Sequence, residues 1–302
     1  MSAAPQAGRA TTLAAASLML VTAVWGSTFF MIKDVLGRMP VADFLAVRFV
    51  IAALAMLLLF HRPLARLPRG LWLKGLALGV LYGVGQLLQT AGLTSIDASV
   101  SGFVTGMYVV FTPLLATLLL RQRLAGMVWL AVLLAVAGLA LLTLHGLDVR
   151  RGVWLTLAAA AIYALHILAL GHWSRPQDAF ALSTVQMIAI AGVCLVGTLP
   201  HGPSAPPDRA AWIATLYMAL AAGAGAMLVQ TWAQAHLPAT RAAIVMTLEP
   251  LFAAGFASAF GSERLGWRVF AGGALVLAAM YLVELAPARR AKPPAEAIHH
   301  EV

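Results

Sequence analysis

Glu249, Arg48 and His166 are titratable or charged side chains that fall inside long apolar stretches of this sequence. Glu249 is the one carboxylate far from the end of such a stretch. It stands roughly ten residues in, about 15 Å deep at 1.5 Å per residue. A carboxylate at that depth must face protein or a water-filled cavity. Pro250 follows it and has no N–H to give to the carbonyl of Met246, so that oxygen is free for a cavity or a neighbouring helix. Glu249 is therefore open to two readings: a proton carrier, or half of a buried ion pair with Arg48 or His166 that fixes helix packing. Arg48 lies about 9 Å in, from where its side chain can snorkel to the head groups or offer its planar fork to a substrate carboxylate. His166, with Tyr163 three residues earlier on the same helical face, is a proton relay or a hydrogen-bonded packing residue. Trp25 and Trp232 also fall within apolar runs rather than at their ends, where tryptophan marks an interface, and serve as cavity walls or as packing.

Polar side chains recur around these residues at helical spacing. Tyr82, Gln86 and Gln89 fall at i, i+4 and i+7, and Ser101, Thr105, Tyr108 and Thr112 form a second stripe. Gln230 and Gln234 share a face with Met227, and a shift of 141 residues carries Gln86, Gln89 and Leu93 onto Met227, Gln230 and Gln234. Corresponding helices thus turn a polar stripe the same way, as two walls of one cavity would; helix-to-helix hydrogen bonding is the competing explanation. The candidate substrate cavity comprises Trp25, Arg48, Tyr82, Gln86, Gln89, Tyr108, Tyr163, His166, Gln230, Trp232 and Gln234, with Glu249 as the candidate for proton coupling. Gly75, Gly79 and Gly83, and again Gly102 and Gly106, recur every fourth residue, a spacing that lets helix backbones approach closely within one molecule.

The elements that hold these residues are dictated by composition. Of 302 residues, 62% are hydrophobic and only 10% charged, with a mean hydropathy of +0.89. Soluble domains carry about 25% charge, and a domain of this size cannot bury so much apolar surface. The net charge of +9 is scattered between apolar runs, which suits anionic lipid head groups rather than nucleic acid. One cysteine, Cys194, excludes an internal disulfide and a multi-cysteine zinc site. Apolar runs of about 20 residues, enough to cross the hydrocarbon, occur at 11–32, 42–60, 71–93, 99–120, 126–144, 152–171, 180–199, 212–235, 239–260 and 267–286. The first is too long for a signal-peptide core and has no clear cleavage site after it, so it reads as an uncleaved span. Ten spans place both termini on one side. With that side cytoplasmic, the inner segments hold eleven Lys and Arg against seven in the outer loops, leaving out Arg48 and Arg241.

The second half repeats the first. A shift of 141 sets Gln89-Thr90 on Gln230-Thr231, Phe111 on Phe252, Arg123-Leu124 on Arg264-Leu265 and Leu144 on Leu285. Earlier in each half a shift of 138 sets Trp25 on Tyr163 and Arg48 on Gln186, a difference assigned to a longer loop around His201 to Asp208. Five spans per unit is an odd number, so the copies at 1–148 and 149–288 must be inverted, with a basic cytoplasmic tail at 289–302. The expected fold is all-α and integral to the membrane, with ten helices as two inverted five-helix repeats around a central cavity. That architecture belongs to secondary transporters working by alternating access.

Trp25-Gly26-Ser27-Thr28-Phe29-Phe30, Arg48-Phe49, Glu249-Pro250 and Ser262-Glu263-Arg264-Leu265 resemble the EamA family of the drug/metabolite transporter superfamily, over residues 12 to 286. The resemblance implies an inner-membrane exporter of amino acids, apolar or aromatic ones included, or of related metabolites. Two departures stand in the first half: Arg121-Gln122-Arg123-Leu124 replaces Gly-Glu-Arg-Leu, and Pro113 lies four residues later than the counterpart of Pro250. Walker-type loops, H-E-x-x-H and G-x-S-x-G are absent. The chain is thus expected to act on a small molecule among membrane lipids, without cofactor, metal, nucleic acid or soluble partner, and not as an enzyme. An exporter of drugs or other metabolites is the alternative within the superfamily, and an intramembrane enzyme the alternative outside it.

Overall fold

Long apolar runs become helices because in lipid only a helix or a closed barrel satisfies every backbone polar group internally. The computed structural model describes residues 3–120, 126–143, 150–200, 202–237, 242 and 245–285. It is helical throughout, with no strand among the described residues. The helices are α1 (Ala3–Leu36), α2 (Val41–Ala65), α3 (Arg69–Leu93), α4 (Ala98–Gly106), α5 (Tyr108–Leu120), α6 (Gly126–Thr143), α7 (Arg151–Trp173) and α8 (Ala179–Thr198). After a loop come α9 (Arg209–Ala219), a π-helical turn (Leu220–Gly225), α10 (Ala226–His236), α11 (Glu249–Ala259) and α12 (Trp267–Leu285). Eight helical segments, from Thr12–Leu36 to Arg209–His236, are long and apolar enough to cross a membrane, and Trp267–Leu282 is a shorter apolar helix. Of the expected spans, 239–260 is described mainly through α11. Arg121-Gln122-Arg123-Leu124, Leu144, His201, Arg241 and the tail at 289–302 lie outside the described residues.

Two spans are interrupted where the sequence suggested continuous helices. The fourth breaks at Met107 between α4 and α5, and the ninth turns at Thr247-Leu248 before α11. Glu249 therefore opens a helix, with Pro250 in its first turn, rather than standing ten residues into one. The eighth span contains the π turn, in which hydrogen bonds run from i to i+5 and the helix widens locally. This turn accommodates an additional residue inside the helix, so the longer second half is not explained by the loop before Asp208 alone.

Packing follows the small residues. The α3 helix lies against α8 through Gly75, Gly79 and Gly83; a Cβ added at Gly79 would come within 2.4 Å of the Gln186 carbonyl. Gly102 faces Ala253 of α11, and Gly106 meets Pro250 and Met280. Other close neighbours are α2 with α8, α6 with α12, α3 with α7, α1 with α10 and α11, and α4 with α11.

One end of the bundle carries the ion pairs. Lys33, near the end of α1, bonds Asp97 at 3.1 Å and lies 3.9 Å from Glu263. Ser262 has a left-handed backbone (φ 59), and its neighbour Glu263 accepts the amides of Ala98 and Ser99 at 2.6 and 3.2 Å, which caps α4. Arg38 pairs with Asp34 and, at 2.5 Å, with Asp208, the residue that caps α9 through the Ala211 amide. The Ala211 amide and Arg38 hold the Asp208 carboxyl below its ordinary 3.8, and Asp208 and Asp34 in turn raise Arg38 above its ordinary value.

Candidate functional site

The interrupted spans, α1, α2, α3, α7 and α10 border a cavity whose walls include Trp25, Arg48, Tyr82, Gln86, Gln89, Tyr108, Tyr163, His166, Gln230 and Glu249. Its polar side chains are organised, not loose. Gln86 donates to the Tyr163 hydroxyl at 2.6 Å, and that hydroxyl donates to Gln89 at 2.8 Å. Gln89 in turn donates to Thr105 at 2.9 Å. A chain of this kind polarises each member and fixes the side chains of α3 against α7 and α4. It forms because Gln86 and Gln89 lie three residues apart on one face of α3, and because Gly85 leaves room for the Tyr163 ring.

Tyr108 joins the two broken helices. Its hydroxyl lies 3.1 Å from a Glu249 carboxylate oxygen and 3.2 Å from the Met246 carbonyl, so its single proton is shared between two acceptors. The Met246 carbonyl is the one that Pro250 deprives of its helical partner. Tyr108 and Glu249 are 141 residues apart, the repeat shift itself. Neither Arg48 nor His166 forms an ion pair with Glu249 among the described residues.

Arg48 is 3% exposed, which excludes snorkelling within this bundle. Its Nε donates to the Met218 carbonyl at 3.1 Å, and its guanidinium lies 4.9 Å from the centre of the Phe49 ring. His166 is bonded through Nε2 to Gln186 at 2.9 Å and stands edge-on to Tyr82 at 5.2 Å. Trp25 donates its indole N–H to the Ala222 carbonyl at 3.0 Å. The Gln230 carboxamide oxygen is buried and has no hydrogen-bond partner among the described residues.

Two expected wall residues lie elsewhere. The Trp232 ring lies tilted against His236, centroids 4.6 Å apart, and Gln234 reaches Met246 sulfur at 3.9 Å; neither borders the cavity. Gln234 shares the Gln230 face but sits a turn beyond the cavity, while Trp232 is two residues round the helix from Gln230. Thr112, from the second polar stripe, bonds the Tyr108 carbonyl of its own helix. Conversely, Thr28, Phe29 and Ile32 border the cavity without having been singled out. With Trp25 they fall at i, i+3, i+4 and i+7, a face legible in the same hexapeptide region.

Apolar helices of spanning length packed around a cavity lined by both polar and apolar side chains mark a multi-pass membrane protein. The model of the EamA-like transporter family matches residues 12–144 and 150–285. The chain belongs to the EamA-like transporter family. It is 29% identical over 269 residues to an uncharacterized transporter of Archaeoglobus fulgidus, spanning 89% of this chain and 84% of that protein. It is 26% identical over 286 residues to a probable amino-acid metabolite efflux pump of Salmonella typhimurium, spanning 87% and 92%. A crystal structure that shares 17% identity superposes with a TM-score of 0.65, covering 90% of this chain and 95% of that one, which speaks for the fold alone.

Proposed function

We propose that this transporter exports small zwitterionic metabolites, amino acids foremost, across the inner membrane by alternating access of two inverted five-helix halves, with both termini cytoplasmic. The observation that carries this reading is that a guanidinium and a carboxylate border one cavity without pairing with each other. A zwitterion brings the two complements: its carboxylate fits the Arg48 fork, and its ammonium fits Glu249 and the unpartnered Gln230 oxygen. Trp25, Tyr82 and Phe29 supply an apolar wall for a side chain. The Salmonella relative named as an amino-acid metabolite efflux pump points the same way.

The packing supports the inverted repeat. Exchanging halves sends the contact of α3 with α7 to that of α10 with α1, and α3 with α8 to α9 and the π turn with α2. It returns α2 with α8, α6 with α12 and α4 with α11 to themselves. Tyr108 and Glu249, counterparts under the 141 shift, touch each other as residues beside a two-fold axis do.

The test is flux in proteoliposomes of the purified protein, with a panel of radiolabelled amino acids and with or without an imposed pH gradient. Saturable, protein-dependent flux of some members is expected. No flux of any member by folded protein overturns the amino-acid assignment. Glu249→Gln is expected to abolish the response to the gradient; a retained response removes Glu249 as proton carrier.

A further inference from the structure

We propose that the π turn at Leu220–Gly225 is a positioning element for the cavity, setting Trp25 and Arg48 through backbone carbonyls. The Arg48 part rests on the reading above, in which Arg48 takes a substrate carboxylate. The acceptor for Arg48 is the Met218 carbonyl, two residues before the π segment, and the acceptor for Trp25 is the Ala222 carbonyl inside it. Both donors belong to the first half of the chain and both acceptors to the second.

A carbonyl already used within a helix keeps a second lone pair that a neighbouring donor can take. The wider π turn changes where the carbonyls in and beside it point, and such turns concentrate at functional sites. Bonded through Nε, the guanidinium keeps its four terminal N–H donors for the cavity and cannot rotate about its own plane normal. The indole is likewise pinned by its one donor.

The equivalent place in the first half has a different construction. There α3 is α-helical from Arg69 to Leu93 and meets α8 through glycines. Gln186, the counterpart of Arg48, bonds His166 and the Leu182 carbonyl of its own helix, not the backbone of α3. The π turn thus goes with the half whose partner helix carries the arginine.

Removing one residue from a π turn lets it close as an α turn while the flanking faces keep their register. Deletion of Ala221 is therefore expected to move the Ala222 carbonyl away from Trp25 and to retilt the Met218 carbonyl, while leaving the faces of Tyr217 and Gln230 in place. The full-length protein is labelled with 5-fluorotryptophan and followed by fluorine NMR, the Trp25 resonance being assigned by Trp25→Phe. The deletion is expected to shift the Trp25 resonance and leave those of Trp72 and Trp154 unmoved. In proteoliposomes, unlabelled amino acid and its carboxamide then compete for flux of a transported amino acid. The unaltered protein is expected to prefer the acid by about tenfold or more, the value of charge-assisted hydrogen bonds, and the deletion to bring the ratio close to one.

A Trp25 resonance that does not move, or an acid preference that survives the deletion, overturns the proposal. If the unaltered protein shows no acid preference, the Arg48 reading fails, and the Trp25 resonance alone decides for or against the positioning role. Should the deleted chain not fold, Gly223→Ala replaces it, because the new methyl would lie 3.2 Å from the Met218 carbonyl oxygen and 3.4 Å from Ala52. It is expected to move the same two readouts by a smaller amount, and silence in both overturns the proposal.

Discussion

Gly85→Ala probes the cavity network without altering any of its hydrogen-bonding groups. A methyl at Gly85 would stand 2.6 Å from Cε1 and 3.0 Å from Cδ1 of Tyr163. Carbon atoms rest at about 3.5–4.0 Å, so the buried ring must withdraw by about 1 Å. The Tyr163 hydroxyl is bonded at 2.6 Å to Gln86 and 2.8 Å to Gln89. A withdrawal of that size carries both past the roughly 3.2 Å range of N–H···O and O–H···O bonds. At about 1 kcal/mol each, two lost bonds amount to about 2 kcal/mol. If the network sets the cavity for its substrate, the half-saturating concentration rises about 30-fold. The assay is half-saturation of flux in proteoliposomes for wild type, Gly85→Ala, Tyr163→Phe and the double variant. Tyr163→Phe removes the same hydroxyl, so the two effects should overlap, with the double variant close to the worse single one. Full additivity, or an unchanged half-saturation in Gly85→Ala, would refute the chain from methyl to ring to glutamines.

Three further outcomes follow from the same geometry. Gly79→Ala places a methyl 2.4 Å from the Gln186 carbonyl and 2.6 Å from Ala189 Cβ; overpacking of about 1–3 kcal/mol is expected. It should appear as a lower melting temperature in detergent, and an unchanged one would mean that α3 and α8 part freely. The Asp208 carboxyl, held low by the Ala211 amide and Arg38, stabilises the fold fully above its ordinary 3.8 and loses that effect as pH falls through the lower folded value. Asp208→Asn keeps a capping oxygen but no charge, so its melting temperature should fall less steeply with acid; a parallel fall would contradict the coupling. Arg48→Lys keeps the charge and loses the fork, and should raise half-saturation for amino acids more than for their carboxamides; equal shifts would return Arg48 to a packing role.

The helices were legible because a run of about 20 apolar residues has few alternatives in a chain this poor in charge. The Gly75, Gly79 and Gly83 contact was legible for a similar reason, since four-residue spacing puts small residues on one line. Most of the cavity wall followed from helical periodicity, yet periodicity gives a face and not its useful length, which is why Gln234 was placed one turn too far. Pro250 announced a freed carbonyl but not that the helix would begin beside it. The π turn had no signal in Leu-Ala-Ala-Gly-Ala-Gly, because its widened geometry is bound up with what lies across it, Trp25 and Arg48. The contact of Tyr108 with Glu249 was present in the repeat shift, but no sequence pattern says that two counterparts lie near their own symmetry axis.

The cap on α4 bears on how the protein is made. The Ala98 and Ser99 amides wait for Glu263, a residue translated some 160 positions later, and α1 packs against α10 and α11. During synthesis the early helices enter the bilayer before the residues that complete them exist. Their first turn must rely on water or head groups until the last loop arrives. Assembly is therefore completed by the loop that carries Glu263, and a gene cut between its two halves would yield fragments that stay unfinished until they meet.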